Sequence, residues 1–261
     1  MEQSVKELGQ AFSGAPTNAG DGSMVFFNPG AMSQVRGKLV SISGYFIAPS
    51  ATFQNSSSHL SPLLGGAPLK GGNGGDSPSP VFIPNFYYVQ ELTNRVTFGL
   101  GVNTPFGMRN SYHSDWKGRY QAIDSEIMTL NFNPSLSLRV TEKFSFGAGF
   151  NVQYLQSKLT NAIDFGAVCL QALGPTSCAS QGLLPQAADG HASLKGDSVG
   201  FGYSFGAFYA PVHDTHFGVS YRSRVDYDVH GNANLGPWQC RCIDPESFFC
   251  RYQCTYIGYY A

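Results

Sequence analysis

Charge is scarce in this sequence, and neither sign is in excess. Lys and Arg number 16 and Asp and Glu number 17 among 261 residues, so charged residues make up 13% of the chain. That is about half of the roughly 25% usual in soluble domains. Without a basic excess the chain is poorly suited to displacing the counterions of a phosphate backbone. We therefore expect no nucleic-acid partner.

Long apolar runs are also missing. No stretch of about 18 consecutive apolar residues occurs, which excludes a membrane-spanning helix. The first ten residues lack the basic start and apolar core of a secretory signal. By itself this favours a cytoplasmic protein, whereas the patterns that follow favour a chain whose natural start is missing.

Glycine and aromatic residues are abundant instead, and apolar side chains alternate with small or polar ones. There are 31 glycines, and aromatic residues reach 14%. Alternation with a period of two is typical of β-strands. About seven strands are predicted, five regular and two less so: 96–102, 128–138, 144–154, 199–209 and 217–228, then 38–50 and 80–90.

The lengths of the strands and of their connections predict a membrane barrel. Runs of about 9–13 residues match a tilted strand that crosses a bilayer. Tight turns at 91–94, 141–143 and 212–215 alternate with long loops at 51–79, 108–121 and 161–196. We therefore predict an all-β fold, a transmembrane antiparallel β-barrel. A soluble β-sandwich is the alternative, but it seldom needs so many glycines on its solvent side.

The two ends of the chain break the alternation. Residues 1–37 are either a disordered leader or a compact plug inside a lumen. Residues 237–261 contain four cysteines whose spacing fits no common structural zinc pattern, so no metal is expected. We interpret this tail as not native to the fold, for example the product of a frameshift. Its cysteines are Cys240, Cys242, Cys250 and Cys254.

Four segments together resemble the FadL/TodX family, outer-membrane transporters of long-chain fatty acids and hydrophobic aromatic compounds. LGQAFSGAPTNAGDGSMVFFNPGAM (Leu8 to Met32) is similar to the family's N-terminal hatch with its Asn-Pro-Ala motif. Pro84 to Gly107 resembles the second and third strands. The others are Trp116 to Tyr120, similar to the stretch after the second loop, and Asn133 to Leu136 with Phe144 to Asn151, similar to strands four and five.

The chain departs from the family pattern in three ways. Gly30 replaces the motif's Ala, only about seven of the family's fourteen strands are present, and the C-terminal aromatic assembly signal is absent. Seven strands cannot close such a barrel, and open edges are not tolerated in lipid. We therefore expect a fragment shortened at both ends, with a hatch at 1–37 and a partial barrel at 38–236.

The resemblance implies transport in a Gram-negative outer membrane by gated passive diffusion, with no cofactor and no enzymatic step. Its implied partners are a long-chain fatty acid or another hydrophobic small molecule, membrane lipid and lipopolysaccharide, around a monomeric barrel. The alternative function is a structural or adhesive barrel whose loops bind host or phage. His113, Ser114 and Asp115 offer acid–base side chains but are too close in sequence to form a working triad by themselves.

Two segments are implied to move. Asn28, Pro29 and Gly30 would form the hatch switch, because Pro29 restricts its own backbone and that of Asn28; the alternative is an ordinary turn. The second segment would be the lateral opening in strand three, where a proline and a glycine permit a kink, although it could also be a simple strand end. It comprises Thr104, Pro105, Phe106 and Gly107.

A ligand carboxylate requires a cation. By strand parity Arg222 and Arg224 face the lumen if Phe217, Val219 and Tyr221 face lipid, and Arg139 does so on its own strand. Lumenal arginines can also be solvated pore residues paired with acids.

Two further candidates lie towards the outside. Lys158, near the outer end of strand five, is another possible carboxylate partner. Cys169 and Cys178 could form a disulfide, which an outer loop folding in the oxidising periplasm permits, or remain free thiols.

Overall fold

The protein folds around one antiparallel sheet of eleven strands. The computed structural model describes residues 3–180, 182–212, 214–236, 238–242 and 252–256. The strands are β1 (Lys38–Ile47), β2 (Val81–Thr93), β3 (Val96–Asn103), β4 (Gly107–Ser111), β5 (Asp124–Arg139), β6 (Phe144–Asp164), β7 (Asp189–Val212), β8 (Thr215–Arg222), β9 (His230–Gly236), β10 (Trp238–Cys242) and β11 (Tyr252–Tyr256).

Nine strands between residues 38 and 236 occupy seven positions in the sheet. β3 and β4 both pair with β5, so they are two parts of one interrupted strand. β8 and β9 both pair with β7 in the same way. The count of about seven strands is therefore confirmed, and the fold is an all-β half-barrel. Among the described helices none is long and apolar enough to span a membrane.

The two faces of the sheet differ as the alternation predicts. On β7 the side chains of Val199, Phe201, Tyr203 and Phe205 are exposed, while the small residues between them are buried. Aromatic rings also stack across β6 and β7, with the Phe146 and Phe205 ring centroids 6.1 Å apart. The outer face therefore carries the aromatic surface expected of a wall in contact with lipid.

Among the predicted boundaries, those of the last long loop and of the last strand are wrong. The connection placed at 161–196 is shorter, because β6 and β7 remain paired up to Asp164 and Asp189. The run at 217–228 is not one strand, since β8 ends at Arg222 and β9 begins at His230. Between β8 and β9 the chain bends over two glycines of β7, which have no side chain to hold it away. A Cβ on Gly202 would lie 2.9 Å from Val225 Cγ2, and a Cβ on Gly200 would lie 2.7 Å from the Asp226 carbonyl oxygen.

Residues 3–37, called the hatch below, form a compact segment against the inner face of the sheet. They contain the helices α1 (Val5–Leu8) and α2 (Met24–Phe27) and two 3₁₀ turns, Ala15–Thr17 and Pro29–Gln34. The main hydrophobic core lies between the hatch and the wall, and it consists of Met24, Val25, Ala31, Met32, Val35, Tyr87, Val89 and Phe208. The packed surface that positions the hatch is therefore the inner surface of the sheet.

The long connections carry the remaining helices. A 3₁₀ turn at Pro62–Leu64 lies in the first long loop, and α3 (Phe165–Leu173) and α4 (Pro175–Ala179) follow β6. A disulfide joins Cys169 of α3 to Cys178 of α4. Of the tail at 237–261 the described residues are those of β10 and β11, and the other tail residues, with Cys250, lie outside them. That the tail is not native remains a prediction.

Candidate functional site

Asn28 fixes the hatch to the wall through its side-chain amide. It ends α2 and precedes the Pro29–Gln34 turn, where its Oδ1 accepts a hydrogen bond from the Gly30 backbone N–H at 2.9 Å. Its Nδ2 donates to the Pro16 carbonyl at 2.7 Å and to the Ala207 carbonyl of β7 at 3.0 Å. The side chain is fully buried. One amide therefore joins two turns of the hatch to the sheet.

The carbonyl of Gly30 is the second attachment point. It accepts hydrogen bonds from the hydroxyls of Ser33 within the hatch, at 3.1 Å, and of Ser137 and Ser145 on the wall, at 3.2 and 2.9 Å. Ser137 and Ser145 occupy inward positions on β5 and β6, where the alternation predicts small or polar residues. The polar inner face thus supplies the donors that the turn needs.

Two facing glycines make room for this turn. Gly147 of β6 and Gly206 of β7 are paired across the sheet, and we call them the glycine seat. A Cβ on Gly147 would lie 2.5 Å from the Gly30 nitrogen, and one on Gly206 would overlap Asn28. A Cβ on Gly30 itself would lie 2.8 Å from the Gly206 carbonyl oxygen. This close approach explains why glycine stands here where the resemblance leads one to expect alanine.

Two of the predicted cationic residues bind carbonyls of the hatch. Arg222 Nη2 donates to the Phe26 carbonyl at 2.8 Å, and its guanidinium lies 3.9 Å from the centroid of the Phe26 ring. Arg222 Nη1 donates to Asn151 Oδ1. Arg139 donates to the Ser33 carbonyl. Both arginines therefore point inward, on the side that strand parity predicts.

The other two cationic candidates do not reach the hatch. Lys158 Nζ lies 3.5 Å from an oxygen of Asp124 on the neighbouring strand. Arg224 follows the end of β8, so strand parity does not fix its direction, and its side chain is largely exposed beside Asp226 at 3.1 Å. The structure thus brings Arg222 and Arg139 to the hatch and leaves Lys158 and Arg224 outside it.

Residues 104–107 coincide with the interruption of the third strand. β3 ends before this segment, and Gly107 begins β4. Pro105 has no N–H to donate to a neighbouring strand. The link to β5 is kept at Phe106, whose N–H donates to Thr129 Oγ1 at 2.9 Å and whose carbonyl accepts from the Thr129 N–H at 2.9 Å. The predicted kink segment is therefore a gap in the strand with one bridging residue.

The start of the hatch reaches this gap. Gln3 Nε2 donates to the Thr104 carbonyl at 3.1 Å, and the Tyr87 hydroxyl donates to the Gln3 carbonyl at 3.0 Å. Gln3 and Tyr87 are both almost completely buried. The hatch and the interrupted strand are thus in direct contact, a connection that the sequence patterns did not indicate.

Within the hatch, one acidic side chain is buried. Glu7 accepts a hydrogen bond from Asn18 Nδ2 and has no exposed surface. Burial, and to a lesser degree the nearby Asp21, raise the pKa of the Glu7 carboxyl.

Within the described ranges no group of three or more His, Cys, Asp or Glu residues is arranged to hold a metal ion.

Arg119 ties together the long connections at one end of the sheet. Its guanidinium donates to Asp189 Oδ2 at 2.7 Å, to the Lys70 carbonyl at 2.7 Å and to the Tyr120 hydroxyl at 2.7 Å. Burial, and then the hydrogen bond to Asp189, raise the pKa of the Tyr120 hydroxyl, which therefore stays protonated. Trp116 stacks on Tyr112 with ring centroids 3.8 Å apart. Two loops and the first residue of β7 thus share one buried cation.

Replacing Arg119 with alanine should loosen these loops. The substitution removes the partner of Asp189 and leaves the Lys70 carbonyl without its donor, and breaking a buried pair costs about 3 kcal/mol or more. We expect cleavage of the 51–79 and 165–188 loops by an added protease on whole cells to rise by tenfold or more. Arg109→Ala is the matched control, because Arg109 is exposed and its nearest carboxylate contact, with Glu126, is 3.8 Å. Equal cleavage of the two variants would contradict the assignment.

Comparison with known proteins identifies the family. Residues 1–240 match the family described as outer membrane protein transport protein (OMPP1/FadL/TodX). The chain belongs to the FadL/TodX family. Family members are outer-membrane transport channels rather than enzymes, so the predicted family, the outer-membrane location and the non-enzymatic character are confirmed.

Individual relatives agree with this assignment. The long-chain fatty acid transport protein of Escherichia coli (strain K12) is 26% identical over 242 residues, which cover 88% of this chain and 52% of the relative. Outer membrane protein P1 of Haemophilus influenzae is 26% identical over 243 residues, with coverages of 87% and 53%. The chain therefore spans about half the length of the curated relatives it matches.

Solved structures share the fold. A Pseudomonas aeruginosa FadL homologue superimposes with a TM-score of 0.73 at 24% identity, covering 85% of this chain and 51% of the homologue. The toluene transporter TbuX of Ralstonia pickettii gives a TM-score of 0.58 at 19% identity, with coverages of 82% and 55%. At these identities the likeness establishes the FadL/TodX fold alone.

Proposed function

We propose that the natural protein containing this chain carries long-chain fatty acids or other hydrophobic compounds across the outer membrane by gated passive diffusion. Burying an acyl chain in an apolar environment gains about 0.8 kcal/mol per methylene, so capture needs no covalent chemistry. We also propose that the protein forms a monomeric barrel and that this barrel contacts membrane lipid and lipopolysaccharide. The relative named as a long-chain fatty acid transport protein supports the fatty-acid ligand class.

The observation that carries the gating proposal is the contact between the hatch and the interrupted third strand. Asn28, Pro29 and Gly30 would act as the switch, since they rest on the glycine seat and are held by hydrogen bonds that a small shift can break. The Gln3 bond to the Thr104 carbonyl would couple this shift to residues 104–107. Opening there would release the ligand sideways into the bilayer.

The two inward arginines support an acid-headed ligand. Arg222 and Arg139 bind neutral hatch carbonyls, and a carboxylate is a stronger acceptor than a neutral carbonyl. We propose Arg222 as the principal carboxylate partner and Arg139 as a second. Lys158 and Arg224, beside Asp124 and Asp226, would act nearer the outer surface.

Growth on oleate tests the proposal. The natural protein containing this chain, produced in a Gram-negative strain that lacks its own long-chain fatty acid transporter, should restore growth on oleate as the only carbon source. Its amount in the outer membrane is measured in parallel, and an empty vector gives the baseline. Normal assembly without growth on oleate and without uptake of toluene would overturn the proposal and favour the structural or adhesive barrel.

A further inference from the structure

Glu7 of the hatch keeps one carboxyl oxygen without a partner, although its side chain has no exposed surface. Its Oε1 accepts a hydrogen bond from Asn18 Nδ2, whereas Oε2 meets no donor among the described residues. Burying an ionised carboxylate is costly unless its oxygens are paired, and a buried polar atom without a partner calls for an explanation. The site therefore suits a neutral carboxylic acid better than a carboxylate ion.

Asp21 presents a second carboxylate to the same part of the hatch. Its oxygens accept hydrogen bonds from the Ser4 hydroxyl at 2.7 Å, from the Ser23 N–H at 2.8 Å and from the Ser23 hydroxyl. The Ser4 hydroxyl in turn accepts from the Glu7 N–H at 3.2 Å, which caps the start of α1. We call Glu7 and Asp21 the acid pair. Because like charges repel, ionisation of Glu7 acts against the contact between α1 and the turn at 18–23.

The charges around the acid pair offset it only in part. Burial and then Asp21 raise the pKa of the Glu7 carboxyl, and Lys6 on the same helix lowers it by less. Among the described residues no cation approaches either carboxylate to ion-pair distance. The ionisable groups that the wall contributes are Tyr87 of β2, which lies near Asp21, and beside it Tyr45 of β1 and Arg222 of β8.

The chain immediately after α1 is strained. Ala11 and Phe12 have φ angles of 51° and 59°, in the left-handed region that residues with a Cβ seldom adopt. Two backbone hydrogen bonds to α1 keep them there, from the Ala11 N–H to the Leu8 carbonyl at 2.9 Å and from the Phe12 N–H to the Glu7 carbonyl at 2.8 Å. Strained backbone persists only where the surrounding contacts hold it. Loss of the contacts of α1 therefore lets this segment relax away from the wall.

We infer that the acid pair is a proton-controlled latch on the start of the hatch: α1 stays docked while Glu7 is protonated and is released when Glu7 gives its proton to solvent. Release moves Gln3 away from the Thr104 carbonyl at the interrupted strand, whereas the Asn28–Gly30 turn keeps its own bonds to the wall. The inference adds regulation by pH to the proposed function, and it rests on that function only for its effect on transport.

The direction of the pH effect follows from the raised pKa of Glu7. A carboxyl whose pKa in the docked hatch lies above its ordinary value of 4.5 binds its proton more tightly in that state. Docking of α1 is therefore strongest below pH 4.5 and is lost as the pH rises through the pKa of the docked state. One linked proton changes the released fraction by at most about tenfold per pH unit.

Protease cleavage of the hatch at two pH values tests the latch. The purified natural protein in detergent is treated at about pH 5 and about pH 8 with a protease active at both, and cleavage is normalised to that of the denatured chain. Cleavage within residues 3–12 should rise several-fold at the higher pH, whereas cleavage at 24–34 should change little. Glu7→Gln, which keeps an acceptor for Asn18 and cannot ionise, should remove the rise.

Two further variants separate the acid pair from general effects of charge. Asp21→Asn removes the repelling charge and keeps one acceptor oxygen, so it should reduce the rise without abolishing it. Glu126→Gln is the matched control, because Glu126 lies 3.8 Å from Arg109 on the face of β5 that exposes Met128. This control should keep the full rise.

Equal cleavage of residues 3–12 at both pH values in the wild type would overturn the latch. A rise that survives at full size in Glu7→Gln, or that Glu126→Gln loses, would do the same. Should Glu7→Gln be cleaved rapidly at both pH values, the wild-type rise and its reduction in Asp21→Asn decide the question. The readout needs no ligand, so a pH response without uptake of oleate or toluene supports the latch and overturns the proposed function, and uptake without a pH response overturns the latch alone.

Discussion

Replacing Asn28 with aspartate is expected to release the hatch from the wall while the barrel still assembles. The substitution keeps an oxygen that can accept from the Gly30 N–H but removes the Nδ2 donor to the Pro16 and Ala207 carbonyls. Each buried polar group left without a partner costs about 1–3 kcal/mol, and the new carboxylate would face two carbonyl oxygens. A total of about 3 kcal/mol raises the released population roughly 100-fold.

Two measurements check this result. Protease added from the periplasmic side should cut the hatch of Asn28→Asp far faster than that of the wild type, and uptake of a small hydrophobic dye should increase. Asn28→Ala, which lacks the added charge, should show an intermediate effect. Folding of the barrel is followed by its heat-dependent migration in gels, which should stay unchanged. Wild-type cleavage and uptake in Asn28→Asp would show that Asn28 does not hold the hatch.

The features predicted from the sequence are those that depend on neighbouring residues. The period of two places Phe201, Tyr203 and Phe205 on the outer face because successive strand residues point to opposite sides. It also places Arg222 inside. The same rule fails at Val225 and Tyr227, which continue the alternation although β8 has ended. There the chain bends over the bare glycines of β7, a long-range contact that local alternation does not encode.

The features that were missed depend on register between distant strands. Gly147 and Gly206 are 59 positions apart in sequence, and only the pairing of β6 with β7 brings them together. The same is true of Arg222 and Phe26, which are 196 residues apart. The sequence did carry a signal of this contact, because glycine recurs at inward positions of successive strands, where a core packed with side chains would not need it. Such glycines indicate that another backbone approaches, but they do not identify it as the Asn28–Gly30 turn.

Adding a methyl group to the glycine seat should displace the hatch as well. In Gly206→Ala the new Cβ would overlap Asn28 and lie 3.0 Å from Pro29 Cδ, so the turn has to move away from the wall. Overpacking of this kind costs about 1–3 kcal/mol. We expect protease cleavage of the hatch and dye uptake to rise by about tenfold, and by more when Gly147→Ala is combined with it.

Gly202→Ala is the matched control, because Gly202 lies four residues away on the same inward face of β7. Its Cβ would meet the side chains of Ser223 and Val225, both at 2.9 Å, and no hatch atom lies among its near neighbours. A strand interior also tolerates alanine better than glycine, by about 0.5–1 kcal/mol. The control should therefore keep the wild-type cleavage rate. If Gly202→Ala and Gly206→Ala loosen the hatch equally, then any added methyl group on the inward face of β7 has this effect, and contact with the Asn28–Gly30 turn is not its cause. If only the substitutions at Gly206 and Gly147 accelerate cleavage of the hatch, then the absence of side chains at this pair determines whether the hatch stays closed.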